Sequence, residues 1–157
     1  MAKFKRNDLL DYLNLEIIRK LTTDARMAFS ELAKDLKISN SLVHQRVRKL
    51  QEANIIEGFS VKLNPIEMGY GTITYTGIVT KEAHYSYAIA EKLKEIPEVV
   101  ECHLVSGKYA LLIKIIADSN DGLRKILYEQ IHTIEGVGST DSYISFNCVF
   151  DKNMPVL

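Results

Sequence analysis

The sequence predicts an α+β chain of two domains: an N-terminal three-helix domain ending in a short β-hairpin, then a domain of order β-α-β-β-α-β. Three observations carry that reading. Over residues 11–50 apolar side chains recur every three to four positions, the period of helices packed on a core; beyond residue 72 β-rich runs alternate with two helical ones. Between these regimes lies "NPIEMGYG" (64–71), where Pro65, Gly69 and Gly71 break any regular element. The expected boundaries are 1–63, a linker at 64–71, and 72–157.

Each element follows from its own residues. "DYLNLEIIRKL" (11–21) places Leu13, Ile17 and Leu21 at i, i+4, i+8 and predicts an amphipathic helix closed by "TTDAR". "SELAKDL" (30–36) opens with Ser30 as N-cap and buries Leu32, Ala33 and Leu36. After the connector "KIS", Ser39 caps a third helix that turns Val43, Val47 and Leu50 inward and ends near Ala53. Asn54 then takes the position that prefers a left-handed backbone. "IIEGFSVKL" (55–63) alternates around a glycine, as a small β-wing would.

In the second domain "TITYTGIVT" (72–80) reads as a strand, and "HYSYAIAEKLKEI" (84–96) as a helix with Ala88, Ile89, Leu93 and Ile96 inward. "VVECHLV" (99–105) and "YALLIKIIA" (109–117) are strands around the turn "SGK". The helix "DGLRKILYEQIHTI" (121–134) and the strand "TDSYISFNCVF" (140–150) complete the order. This is the ferredoxin-like arrangement, an antiparallel four-stranded sheet with both helices on one face.

Composition narrows the classes of function. With 157 residues, 46% of them hydrophobic, the chain buries a real core. No run of eighteen apolar residues occurs and no apolar stretch follows the N-terminal charges, so neither a membrane span nor a signal peptide is expected, and the location is expected to be cytoplasmic. Cys102 and Cys148 lack ligand spacing and read as reduced, buried thiols without chemistry. His44, His84, His103 and His132 show no metal-ligand spacing, "GYGTITYTG" precedes a strand rather than a helix, and no Ser/His/Asp set stands out. No catalytic residue, metal or cofactor is therefore expected.

The third helix is the informative element. Its outward face carries Ser41, His44, Gln45 and Arg48, with no carboxylate until Glu52, and residues 1–62 hold a charge of +4 against −4 for the remainder. A tight connector, a capped second helix with a donor-rich face, and a wing describe a winged helix-turn-helix, which presents such side chains to the major groove of duplex DNA. On that reading Ser41, His44, Gln45 and Arg48 face base edges, Gln suiting adenine and Arg guanine. Ser39, Asn40, Lys49 and Lys62 lie at the margins and suit phosphates. Arg46, about 60° from the core stripe, reads equally as a phosphate contact or as an internal brace.

A family resemblance rests on the joint order of short motifs. "LDYLNLEII", "DAR", "ELA", "IS", "RVRKL", "NII", "EGF" and "LNP", followed by "SGKYALL" and "EGVGSTDS", resemble the series found in the Lrp/AsnC (feast/famine) transcriptional regulators, over residues 9–150. The resemblance implies a DNA-binding regulator that dimerises through its second domain and often reaches octamers. It also implies a pocket between C-terminal domains that takes a free amino acid. By position, Ser106, Gly107, Lys108, Tyr109, Ala110, Thr140 and Ser142 would line it, with the Gly107 amides and the two hydroxyls on a carboxylate. Asn14 and Asn54 stand where the family has Asp and Gly. Lys108 and Ala110 replace two family Asp residues, so no acid is expected for a ligand ammonium; an acidic amino acid, a non-amine carboxylate or no ligand is expected instead. Sirohaem decarboxylases resemble the family in both domains, so an enzyme using a residue such as His103 on a tetrapyrrole is the alternative. An architectural DNA binder without effector is another.

Overall fold

The computed structural model describes residues 9–156; residues 1–8 and Leu157, which the expected domains include, lie outside the described residues. The chain divides into two compact units, one holding the residues up to Lys62 together with those from Asp151 onward, the other Leu63–Phe150. The sequence reading placed the C-terminal residues in the second domain. They group with the first because Asp151 Oδ2 meets Lys62 Nζ at 2.7 Å and Asn153 Nδ2 donates to the Thr22 carbonyl at 2.8 Å. That last bond satisfies a carbonyl left open at a helix end.

In the first unit α1 (Tyr12–Thr23) starts at Asp11, whose carboxylate accepts the Asn14 amide at 2.8 Å. Ile17 and Leu21 are buried as the period requires, whereas Leu13 is half-buried and Asn14 fills the interior, its Nδ2 donating to the Leu9 carbonyl at 2.6 Å. Ser30 is not a cap. α2 (Phe29–Asp35) begins at Ala28, in extended conformation without a side-chain bond, because a turn at Asp24 delivers the chain there: the Arg26 amide donates to its carboxylate at 2.8 Å.

α3 (Asn40–Glu52) is capped as expected by Ser39, which accepts the Leu42 amide at 3.2 Å, and it buries Val43, Val47 and Leu50. Both α2 and α3 end the same way. Lys37 (φ 55°) and Asn54 (φ 54°) adopt the left-handed conformation. The amides of Ile38 and Ile55 reach back to the Ala33 and Leu50 carbonyls at 3.0 and 2.9 Å, a Schellman closure at each helix. The turn that joins the two helices is thereby closed by backbone hydrogen bonds around Lys37. No β-hairpin forms over 55–63: Ile55 and Ile56 fold back onto the core, and the residues after them pair with no strand.

The second unit is the expected sheet. Strands β1 (Thr72–Thr80), β2 (Val99–Leu104), β3 (Leu111–Ala117) and β4 (Val137–Ser145) pair antiparallel in the order β2-β3-β1-β4. Helix α4 (Ser86–Leu93) follows a 3₁₀ turn at Ala83–Tyr85, and α5 (Asn120–Lys125) continues as a π turn through Ile126–Ile131. Ile78, Leu111, Ile113 and Ile115 meet Ile89, Leu93, Ile126 and Ile131 in the core. Thr72, Thr74 and Thr76 share that face, because the register sets Thr74 opposite Ile115 and Thr76 opposite Ile113.

Several expectations shift. α4 ends before Ile96, and Ala88 is exposed while Ser86 is buried, its hydroxyl donating to the Ala83 carbonyl at 2.9 Å. β4 spans Val137–Ser145 rather than 140–150, since its partner β1 starts at Thr72 and offers nothing to residues 146–150. Both cysteines are exposed, not buried: Cys102 sits on the edge strand β2 and Cys148 in the unpaired stretch after β4.

A pH dependence follows from the α1 cap. The Asn14 amide, foremost, and the Arg46 guanidinium hold the Asp11 carboxyl below its ordinary value of 3.8. A depressed folded-state pKa contributes stability that is present above the ordinary value and lost as pH falls through the folded one. The melting temperature of the first unit is expected to drop below about pH 4 in the parent. In Asp11→Asn, which keeps the cap but not the charge, the drop is smaller; equal acid sensitivity in the two proteins counts against this assignment.

Candidate nucleic-acid interface and effector site

On α3 the residues Asn40, Ser41, His44, Gln45, Arg48 and Lys49 are all exposed. His44 packs edge-on against Phe29 at the start of α2, with ring centroids 4.8 Å apart. Phe29, His44, Gln45, Arg48 and Gln51 line an open groove of about 510 Å³ between the two helices. Gln51 and Phe29 were not anticipated. Gln51 stands seven residues after His44, two helical turns along the same face, and was legible on that ground; Phe29 belongs to another helix and was not.

Not every basic residue of this unit is open. Arg46 forms an ion pair with Asp11, so it braces α3 against the α1 cap, the second of the two roles its position allowed. Arg48 Nε meets Glu52 Oε1 at 2.8 Å, an exposed i, i+4 pair that contributes little and opens readily. Lys62 meets Asp151. The Ser39 hydroxyl, besides capping, lies 3.0 Å from that of Ser41.

In the second unit the seven expected effector residues do not form one wall. Ser106, Gly107 (φ 123°), Lys108, Tyr109 and Ala110 make the β2–β3 turn. Thr140 and Ser142 project from β4 to the helix side of the sheet, where Thr140 Oγ1 meets His132 Nε2 at 2.8 Å and Ser142 Oγ meets Thr76 Oγ1 at 2.9 Å. Lys108 and Tyr109 lie on the opposite, uncovered side with Asp141 and Tyr143. Lys108 Nζ is 2.5 Å and the Tyr109 hydroxyl 2.9 Å from Asp141 Oδ2, and the Tyr109 and Tyr143 hydroxyls are 3.2 Å apart. The expectation that this loop has no acid beside it is thus overturned: Ala110 supplies none, but Asp141 does. Strand alternation held the missing signal, because Asp141 lies between Thr140 and Ser142 and must point the other way.

Residues 10–57 match the model described as a winged helix-turn-helix DNA-binding domain, and residues 76–155 that of the Lrp/AsnC ligand binding domain. The chain is 37% identical to the regulatory protein AsnC of Escherichia coli, covering 88% of this chain and 91% of AsnC. It belongs to the Lrp/AsnC family of transcriptional regulators. The solved structure of E. coli AsnC superposes with a TM-score of 0.86, covering 92% of this chain and 97% of that one at 32% identity. The transcriptional regulator LrpA of Pyrococcus horikoshii is 40% identical over 83% of this chain and 89% of its own. A feast or famine regulatory protein of M. tuberculosis, solved in complex with L-methionine, matches at 27% identity with a TM-score of 0.87, covering 94% and 99% of the two chains. In this Lrp/AsnC chain the departure at Asn54 is harmless, since Asn tolerates the left-handed closure that the structure shows there.

Proposed function

We propose that this Lrp/AsnC regulator reads duplex DNA with the exposed face of α3, Gln45 and Arg48 on base edges with Ser41 and His44 beside them, and Asn40, Lys49 and Lys62 on phosphates. The observation that carries the reading is the donor-rich face opening into a groove on a helix with a hydrogen-bonded closure before it and another after it. Arg48→Ala is expected to cost about 1–3 kcal/mol at the preferred site and to relax preference at one base pair, and Lys49→Ala to weaken all sequences alike with a salt slope shallower by about one. Fluorescence anisotropy on selected and random duplexes checks this; parent-like binding by both variants counts against the assignment.

The protein acts as a homodimer at least, and as an octamer on the family pattern, in the cytoplasm. Among the described residues no helix is long and apolar enough to cross a membrane. Both helices cover one face of the sheet, while the other exposes Tyr75 and Tyr143, an uncovered surface suited to a second copy. A fragment of residues 66–157 is expected to dimerise, and one of residues 1–62 to stay monomeric and bind DNA far more weakly, because tethered readers raise each other's effective concentration. Light scattering that finds the second fragment monomeric at micromolar concentration removes the dimer proposal.

An amino-acid-like effector at the β2–β3 turn modulates the binding; the relative solved with L-methionine supports this. The relatives' names as regulators weigh against the sirohaem-decarboxylase alternative. A tetrapyrrole titration is expected to leave the visible absorbance of the ligand unchanged.

A further inference from the structure

We infer that Phe29 on α2 is a positioning residue for base reading: it holds the His44 ring of α3 in one plane, so that His44 donates to N7 of a purine at a single base position. The inference rests on the DNA reading above and adds a base rule and a residue from outside α3. Its basis is the unexpected start of α2. The turn at Asp24, where the Arg26 amide donates to the carboxylate at 2.8 Å, brings the chain to Ala28 in extended conformation. Phe29 thereby becomes the first helical residue instead of preceding a cap at Ser30. Its half-buried side chain packs on the core of the first unit and also meets the His44 ring, with centroids 4.8 Å apart and ring planes at 74°.

His44 is the fifth residue of α3, within the stretch that a helix-turn-helix sets against base edges. An exposed imidazole on a helix turns readily about its last torsion, whose preference is broad and two-fold. Phe29, anchored in the core, narrows that torsion before DNA arrives, so the ordering cost is not met at binding. Among the described residues no protein group hydrogen-bonds the His44 ring, and its N–H is open to a base. In the major groove adenine and guanine share the N7 acceptor, whereas cytosine presents a donor and thymine an acceptor, O4, at a different place. A ring free to turn accepts N7 or O4 alike. A ring held in one plane accepts N7 and rejects O4, so the rule is purine over pyrimidine. It does not separate adenine from guanine; Gln45 and Arg48, which line the same groove, carry the bidentate groups for that.

The test is selection of bound duplexes from a random pool by the full-length parent and its variants, then fluorescence anisotropy on the selected duplex and its single base-pair substitutions. The parent is expected to prefer a purine at one position by about two- to tenfold, the range of one net hydrogen bond. His44→Ala loses that preference. Phe29→Leu, which keeps an apolar side chain on the core, is expected to admit thymine at the same position while the preferences elsewhere stay, and Phe29→Tyr, which keeps the ring, to retain the purine rule. At that position the double variant Phe29→Leu/His44→Ala is expected to be no worse than His44→Ala alone. A Phe29→Leu protein that weakens on all sequences alike with its preferences unchanged shows a packing role only and overturns the inference, as does strict additivity in the double variant. His44 is exposed, so His44→Ala tests the base rule even where Phe29→Leu lowers the melting temperature below that of the assay; an unchanged purine preference in His44→Ala overturns the inference while leaving the reading by Arg48 in place. If the parent selects no duplex over random DNA, the DNA reading itself fails and this inference with it.

Discussion

Leu50→Ala is expected to unfold the first unit while the second keeps its structure. Leu50 is fully buried, and its carbonyl also accepts the amides of Ile55 and Ile56 at 2.9 and 3.1 Å, so it joins the core to the closure of α3. Removing its branched end costs about 2–5 kcal/mol, because a packed core collapses only partly around the space left. That core is small: Ile17, Leu21, Leu32, Ala33, Val43, Val47 and Leu50. A unit of this size holds only a few kcal/mol of net stability, so a loss of that order is most of it. Differential scanning calorimetry should show one transition moved to much lower temperature, with DNA binding lost, and a second transition in place. If the whole protein instead melts in one shifted transition, the two units do not fold independently and the expectation is wrong.

How much of this was legible in the sequence depends on whether a feature is local. Ser39, Val43, Val47, Leu50 and Asn54 declare α3, its cap and its end through spacing alone, and the structure holds each in the expected role. The order of strands was legible for the same reason. Lys37 was not, because nothing in a lysine announces a left-handed turn; the closure around it is imposed by Ile38 packing back over α2. The burial of the β1 threonines was not legible, since it follows from the register that places Thr74 and Thr76 beside Ile115 and Ile113. For the expected effector residues, the step from position to face was not legible. Family position put Thr140 and Ser142 next to the 106–110 turn, whereas their side chains leave on the helix side, and the acid the turn meets comes from the residue between them. The wing was drawn from alternation in residues 55–63, but alternation makes a strand only where a neighbour completes the ladder.

Gly136→Ala is expected to destabilise the second unit by about 2–5 kcal/mol, from two sources that can be separated. Gly136 has φ +90°, a conformation that L side chains rarely adopt, and a Cβ there would stand 2.3 Å from Tyr85 Cγ. Neither neighbour can give way freely. Tyr85 is packed on the core between β1 and α4, and the Gly136 carbonyl accepts the Lys81 amide at 2.8 Å, a bond that ties the start of β4 to the end of β1. Tyr85→Ala alone loses packing, but in the double variant with Gly136→Ala the collision is gone and only the backbone strain is left. The double variant should thus be more stable than the sum of the two single losses predicts, by about 1–3 kcal/mol. Urea unfolding of all four proteins measures the difference, and strict additivity would show that the ring is not what Gly136 avoids.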